Sequence, residues 1–299
     1  MDSVKKAKKS KGKFHISIGM ILIYIIVTAF VLVCLYPFLN VIAYSLSGNR
    51  PILSGEVTIF PKEIQLKSYK EILGKQSIWT SMRITIFVTL VATAIGLVLT
   101  IGASYALSKK KLKGRGILTA FIMFTMYFNG GIIPTFLVVK NLSLVDSVWA
   151  LILPSAMNVF NFIVMRTFFT QLPESLEEAA TLDGCNDMTC LFKIVLPLSL
   201  PIIATIGLFY AVSYWNEYFS ALMYIQSPEK FSLQLRLRQL LFTEELNQLN
   251  NNTEAMGNQV MAESLKMASI IVATLPIVAI YPWLQKYFVK GVMLGSVKG

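Results

Sequence analysis

The chain has 299 residues, of which 55% are hydrophobic and only 14% are charged, and its formal net charge is +11. A soluble domain of this size scatters its charges along the sequence; here they fall into a few separate stretches, which excludes an ordinary soluble enzyme fold. With His15 as the only histidine and no G-x-x-x-x-G-K-S/T loop, the chain builds no histidine-based triad, HExxH zinc site or nucleotide-binding loop of its own.

Residues 1–15 form a basic tail with Lys5, Lys6, Lys8, Lys9, Lys11 and Lys13. Six stretches without a formal charge follow: Phe14 to Asn49, Ile84 to Ser108, Gly116 to Val139, Ser147 to Met165, Ile194 to Asn216 and Met267 to Gln285. Each has the roughly 17 to 25 residues a helix needs to cross about 30 Å of hydrocarbon, and none shows the short alternation of a membrane barrel strand. The prediction is an all-α integral membrane protein. Its six transmembrane helices fall at about residues 17–45, 82–108, 116–139, 147–168, 198–225 and 266–286, all within one transmembrane domain 16–299. The first run is longer than the roughly 7 to 15 apolar residues of a signal peptide and is read as a retained span.

Lys and Arg in short loops mark the inner side of a membrane. The tail and the cluster Lys109, Lys110, Lys111, Lys113 and Arg115 both belong inside, and Lys286, Lys290 and Lys298 place the carboxyl terminus there too. The net charge is then a topology signal that requires no nucleic-acid partner. External loops at 47–80 and 227–265 follow, the first with a surface helix over Leu66 to Leu73 and the second with a leucine-rich part before an Asn-rich patch, Asn247 to Asn252. Cys34, Cys185 and Cys190 make no disulfide or metal framework. Gly96, Gly102 and Ala103 suit close helix contacts. Pro37, Pro276 and Pro282 suit kinks.

The polar gap at 170–197 becomes a cytosolic loop between the fourth and fifth helices. Pro173 suits a first helical position, Glu174 and Glu177 sit near the positive end of the helix dipole, and Ala179 and Ala180 keep the helix slender. Gly184 stops it in a left-handed conformation. Asn186 or Asp187 caps a second helix whose Met188, Leu191, Phe192 and Ile194 are expected to face the bundle until Pro197.

From Glu178-Ala179-Ala180 through Gly184 to Ile194, Leu196 and Pro197 the spacing is EAA-x3-G-x9-I-x-LP. It resembles the signature of permease subunits of binding-protein-dependent ATP-binding-cassette (ABC) importers. Trp215-Asn216-Glu217-Tyr218 and the carboxyl-terminal stretch from Gln285 to Gly299 are similar to the carbohydrate-uptake, maltose-permease-like branch. Asn129-Gly130-Gly131-Ile132-Ile133-Pro134 resembles its oligosaccharide and complex-sugar subgroup. The resemblance implies a type I importer permease in a bacterial plasma membrane, with both termini cytosolic. Its implied partners are a second permease, two ATPase subunits that bind ATP and Mg, an extracellular sugar-binding protein, a carbohydrate substrate and membrane lipid. No cofactor, metal or catalytic residue is assigned to this chain. Coupling to the ATPase falls to Glu178, Ala179, Ala180, Asp183, Gly184, Ile194, Leu196 and Pro197.

An ionisable group inside a span is costly unless it faces protein or water, which singles out Glu217. Trp215, Asn216 and Glu217 are candidates for the substrate path, with Tyr127, Asn129, Asn158 and Asn161 beside them; the same residues also suit hydrogen bonds between helices. An amino-acid or peptide permease shares the coupling loop and is the alternative cargo class. A secondary transporter, the alternative mechanism, calls for embedded charges on broken helices near the midplane.

Overall fold

The computed structural model describes residues 18–250 and 263–282. The basic tail, part of the Asn-rich patch and the stretch from Gln285 to Gly299 lie outside the described residues. Among the described residues the fold is helical, without strands.

Helix α1 (Ile18–Leu46) is apolar around its whole circumference, and its long apolar stretch is not buried against the rest of the chain. A helix of that composition needs an apolar surrounding on every side. Beyond it the chain doubles back, because the Asn40 side chain donates to the Thr58 carbonyl at 2.8 Å and the Gln65 N–H donates to the Leu46 carbonyl at 2.8 Å. The short helix α2 (Lys67–Gly74) forms where a surface helix is expected, with Ser68 and Ile72 buried.

Helix α3 (Gln76–Ser108) is the centre of the bundle. Its 33 residues rise about 50 Å, so it starts before 82: hydropathy marks the membrane, not the end of the hydrogen-bond ladder. Small buried residues Ser81, Thr85, Thr89, Ala92, Gly96, Thr100 and Ser104 form a stripe along it, and such stripes let neighbouring backbones approach. Gly96 meets the expectation, since a Cβ there would lie 3.0 Å from the Tyr210 ring and 3.1 Å from the Ala156 carbonyl. Gly102 does not, having open space around it. Six residues of α-helix rotate by about 240° relative to Gly96, which carries Gly102 off the packed face.

The next two expected spans are not single helices. Residues 116–139 become α4 (Arg115–Tyr127) and α5 (Ile132–Asn141), bent by 113°. At the bend Gly131 has φ 85°, and its N–H donates to the Asn129 side-chain oxygen at 2.9 Å, a local bond that replaces the helical one. Residues 147–168 become a 3-10 turn, Val148–Leu151, a non-helical stretch at 152–158, and α6 (Val159–Thr170), capped by the Asn158 side chain. Helices α7 (Glu174–Leu182) and α8 (Asp187–Leu198) come next. Then α9 (Leu200–Trp215) leaves α8 at 84°. Pro201 has no N–H to give to the preceding turn, and this breaks the ladder.

The short helix α10 (Phe219–Tyr224), α11 (Leu233–Asn250) and α12 (Glu263–Pro282) complete the described fold. Helix α9 packs most extensively on α3, followed by α6. A second apolar cluster joins Ile72, Ile78, Trp215, Leu233, Leu237, Leu265, Ala268 and Val272. Loops at the end of the bundle away from α7 are tied by Asp146. Its carboxylate accepts from the Gln226 N–H at 3.0 Å, the Ser227 N–H at 2.8 Å and the Lys230 ammonium at 3.0 Å. These donors hold the Asp146 carboxyl well below the usual range, the Ser227 hydroxyl bond being the largest influence.

Candidate functional site

Two places gather the residues singled out by sequence: the α7–α8 turn at the lysine-rich end, and a cleft beside α9.

Helix α7 begins at Glu174, one residue later than anticipated, because Pro173 has ψ 126° and serves as the N-cap. At its other end Gly184 takes φ 81°. The Gly184 N–H donates to the Thr181 carbonyl at 3.0 Å and the Cys185 N–H to the Ala180 carbonyl at 2.9 Å, the pair of bonds that defines a Schellman stop. Two residues on, the Asn186 side chain accepts from the Thr189 N–H at 2.8 Å and starts α8. The result is helix, left-handed glycine, helix.

Fastening to the bundle comes from the acidic first turn of α7. Glu177 pairs with Lys109, whose ammonium lies 4.0 Å from the centre of the Tyr105 ring, and Glu174 pairs with Lys110. The Lys110 hydrogen bond lowers the pKa of Glu174. The Tyr105 hydroxyl donates to the Asp187 carbonyl at 3.2 Å, so the end of α3 holds both short helices. Glu178 takes no part in an ion pair among the described residues.

Exposure divides the loop into two faces. Ala180, Cys190, Leu191 and Val195 are buried in the bundle core, with Cys185, Ile194 and Leu196 partly buried against it. Glu178, Ala179, Asp183, Gly184 and Pro197 are exposed. Leu182 is 89% exposed, and Met188 and Phe192 are each 60% exposed. This corrects the expected inner face of α8, since Met188 and Phe192 point outward while Cys190 and Val195 point in. The buried stripe of α8 is Cys190, Leu191, Ile194 and Val195, the spacing of one helix face, and Met188 and Phe192 fall to one side of it. Ala180, grouped with Ala179 on sequence, is turned toward its own bundle.

The cleft has a volume of about 440 Å³ and is lined by Leu151, Ser155, Asn158, Phe160, Asn161, Phe209, Tyr210, Ser213, Tyr214 and Glu217. Asn158, Asn161 and Glu217 are therefore brought together. The Asn158 side chain accepts from the Asn161 N–H at 3.1 Å, and Glu217 accepts from the Ser220 N–H at 2.8 Å, capping α10. Trp215 is turned the other way: it is buried in the second apolar cluster and its indole N–H donates to the Ala273 carbonyl at 2.9 Å. Asn216 bonds back to the Val212 carbonyl at 2.9 Å. Trp215 is the last residue of α9, and Asn216 and Glu217 follow in the break before α10, where the chain turns and the side chains part. Tyr127, 75% exposed, and Asn129, at the α4–α5 bend, are not among the lining residues.

Sequence reasoning missed Ser155, Phe160, Phe209, Tyr210, Ser213 and Tyr214. Tyr210, Tyr214 and Glu217 are spaced four and three apart, the repeat of one helix face, and this was the available signal. The cleft offers amide, hydroxyl and carboxylate groups beside aromatic rings. Its lining contains no Lys or Arg.

The model of the family described as "binding-protein-dependent transport system inner membrane component" matches residues 96–294. The polygalacturonan/rhamnogalacturonan transport system permease protein YtcP of Bacillus subtilis (strain 168) is 46% identical over 278 residues, covering 93% of this chain and 97% of the relative. Protein LplC of the same organism is 46% identical over 268 residues, covering 89% and 90%. A crystal structure of a bacterial ABC transporter involved in import of the acidic polysaccharide alginate contains a chain with a TM-score of 0.81 and 35% identity, covering 92% of this chain and 98% of that one. These matches and the all-helical fold agree: the chain belongs to the family of binding-protein-dependent transport system inner membrane components.

Proposed function

We propose that the chain is one permease subunit of an ATP-driven importer of carbohydrate, with oligosaccharides as the cargo class. Support for the cargo comes from relatives named for polygalacturonan/rhamnogalacturonan and arabinooligosaccharide transport. Support for the mechanism comes from the α7–α8 pair, whose outer face carries large exposed apolar side chains among charged ones at the lysine-rich end of α3. Leu182, Met188 and Phe192 are the anchors by which an ATPase subunit grips the loop, with Glu178 and Ala179 beside them. Large exposed side chains of this kind mark an interaction surface. ATP and Mg belong to that partner, and ATP-driven closure of the ATPase pair moves the loop together with α3, through the Lys109, Lys110 and Tyr105 contacts.

The lysine-rich end is then cytosolic and the Asp146 end external, facing a sugar-binding protein. The cleft contributes one half of the path, and a second permease the other. Asn158, Asn161, Ser155 and Ser213 offer hydrogen bonds to sugar hydroxyls, and Phe160, Phe209 and the tyrosines offer ring faces. Secondary transport finds less support, since Glu217 is the only ionisable carboxylate or base in the cleft lining and its carboxylate caps a helix.

The test is ATP hydrolysis by the reconstituted complex with its second permease, ATPase and binding protein, screened against oligosaccharides and peptides. Stimulation by a saccharide-loaded binding protein and none by peptides is the expected result. Stimulation by peptides alone would move the cargo to the alternative class, and absence of any ATPase association would overturn the mechanism.

A further inference from the structure

The stretch Ile152–Asn158 is non-helical in the middle of a charge-free run. Its depth follows from two facts. Ala156 packs against Gly96, which lies inside α3 well away from either end. Helix α6, with 12 residues, rises only about 18 Å, much less than the roughly 30 Å of hydrocarbon. Non-helical backbone at that depth must find its hydrogen bonds inside the protein or line a water-filled cavity.

It does both here, and two side chains supply the bonds. The Tyr214 hydroxyl lies 2.6 Å from the Ser155 carbonyl and 3.5 Å from the Ile152 carbonyl. The Asn158 N–H donates to the Tyr210 oxygen at 2.9 Å, and that hydroxyl also bonds Thr100 at 2.7 Å. Tyr210 thus links the stretch to α3, while Gly96 leaves the room its ring needs. Both tyrosines are buried on α9 one turn apart, with rings stacked at 6.4 Å between centroids. Ser155 and Asn158 face the cleft from the same stretch.

We infer that Tyr210 and Tyr214 are positioning residues: their hydroxyls hold the unwound stretch 152–158 in the shape that presents Ser155 and Asn158 to cargo in the cleft. This rests on the cleft being part of the translocation path. Both direct anchors are on α9, and Thr100 of α3 reaches the stretch through the Tyr210 hydroxyl.

The test uses the full complex in nanodiscs with Tyr210→Phe and Tyr214→Phe, which keep the rings and remove only the hydroxyls. Hydrogen exchange of the 152–160 peptide is the first readout and needs no knowledge of the cargo. Exchange should accelerate about tenfold in each variant, the effect of losing one buried hydrogen bond, while a peptide over α7 stays unchanged. Uptake is the second readout, run with the saccharide that stimulates ATP hydrolysis in the panel. KM should rise about threefold or more with kcat within about twofold, since an interaction used for binding is lost. Should Tyr210→Phe fail to assemble, Thr100→Val, which removes the bond that fixes the Tyr210 hydroxyl to α3, replaces it in both measurements; should Tyr214→Phe fail, Tyr210→Phe alone decides. Unchanged exchange in the assembled variants overturns the inference whatever the cargo. Faster exchange with an unchanged KM leaves the tyrosines as structural supports only and overturns their positioning role. If no saccharide stimulates the complex, it is the reading of the cleft that fails.

Discussion

The two places where this chain holds its functional elements use opposite chemistry. At the lysine-rich end, α7 is fastened by Lys109 to Glu177 and Lys110 to Glu174, with long side chains that are partly or largely exposed. In the cleft, the stretch 152–158 is fastened by neutral phenol and amide groups, among buried tyrosines. The dielectric explains the division. Charge is tolerable where water screens it and expensive within hydrocarbon, so the interior fastening relies on neutral hydrogen bonds of fixed length. Under the proposed function, the element that would transmit motion is tied by flexible ion pairs, and the stretch that would present groups to a sugar is tied by short neutral contacts.

The strongest way to break this comparison is at Gly184. No atom crowds a Cβ at that position, so the whole effect of Gly184→Val comes from forcing a branched side chain to φ 81°, at about 1 to 3 kcal/mol. Stimulated ATP hydrolysis should fall about tenfold or more, and retention of the native rate would show that α7 and α8 do not need this turn. Next is Gly96→Val, which pushes directly into the Tyr210 ring and the Ala156 carbonyl. Overpacking of this kind costs about 1 to 3 kcal/mol, so the purified complex should unfold at lower temperature; Gly102→Val, which has open space, is the matched control.

A smaller effect belongs to Lys109→Met, which removes a partly screened ion pair and its contact with the Tyr105 ring, together worth about 1 kcal/mol. A double-mutant cycle with Glu177→Gln should show coupling between the two, and additive losses would deny the contact any role. Asp146 sharpens the comparison at the end of the bundle away from α7 through pH. Its pKa is depressed, so the linked stability is present above the ordinary carboxylate value near about 4 and is lost as pH falls through the lower folded value. Acid unfolding of Asp146→Asn should accordingly show a flatter pH dependence over that window. Last, Glu174→Gln removes a largely exposed pair and is expected to leave thermal unfolding unchanged.

The α7–α8 turn was largely legible before any coordinates, because its determinants are local. A glycine at C′ and an asparagine N-cap act through backbone groups within a few residues, and they appear where the sequence places them. The failures are failures of direction. Sequence places Met188 and Phe192 on the inner face of α8, whereas the buried stripe is Cys190, Leu191, Ile194 and Val195, to one side of them. Adjacency groups Trp215 with Glu217, although Trp215 closes α9 and Glu217 lies past its end.

By itself, the sequence determined that this is a helical membrane protein of the importer-permease family with a helix, glycine turn and second helix at 174–198, since charge distribution, run length and capping chemistry are short-range properties. Only the tertiary structure decided that three expected spans are broken, at 128–131, 152–158 and 216–218, that Tyr210 and Tyr214 bridge one of the breaks, and which side chains share the cleft. Those outcomes depend on hydrogen bonds and ring contacts between residues more than fifty positions apart in the chain. Composition and periodicity carry no record of such pairs.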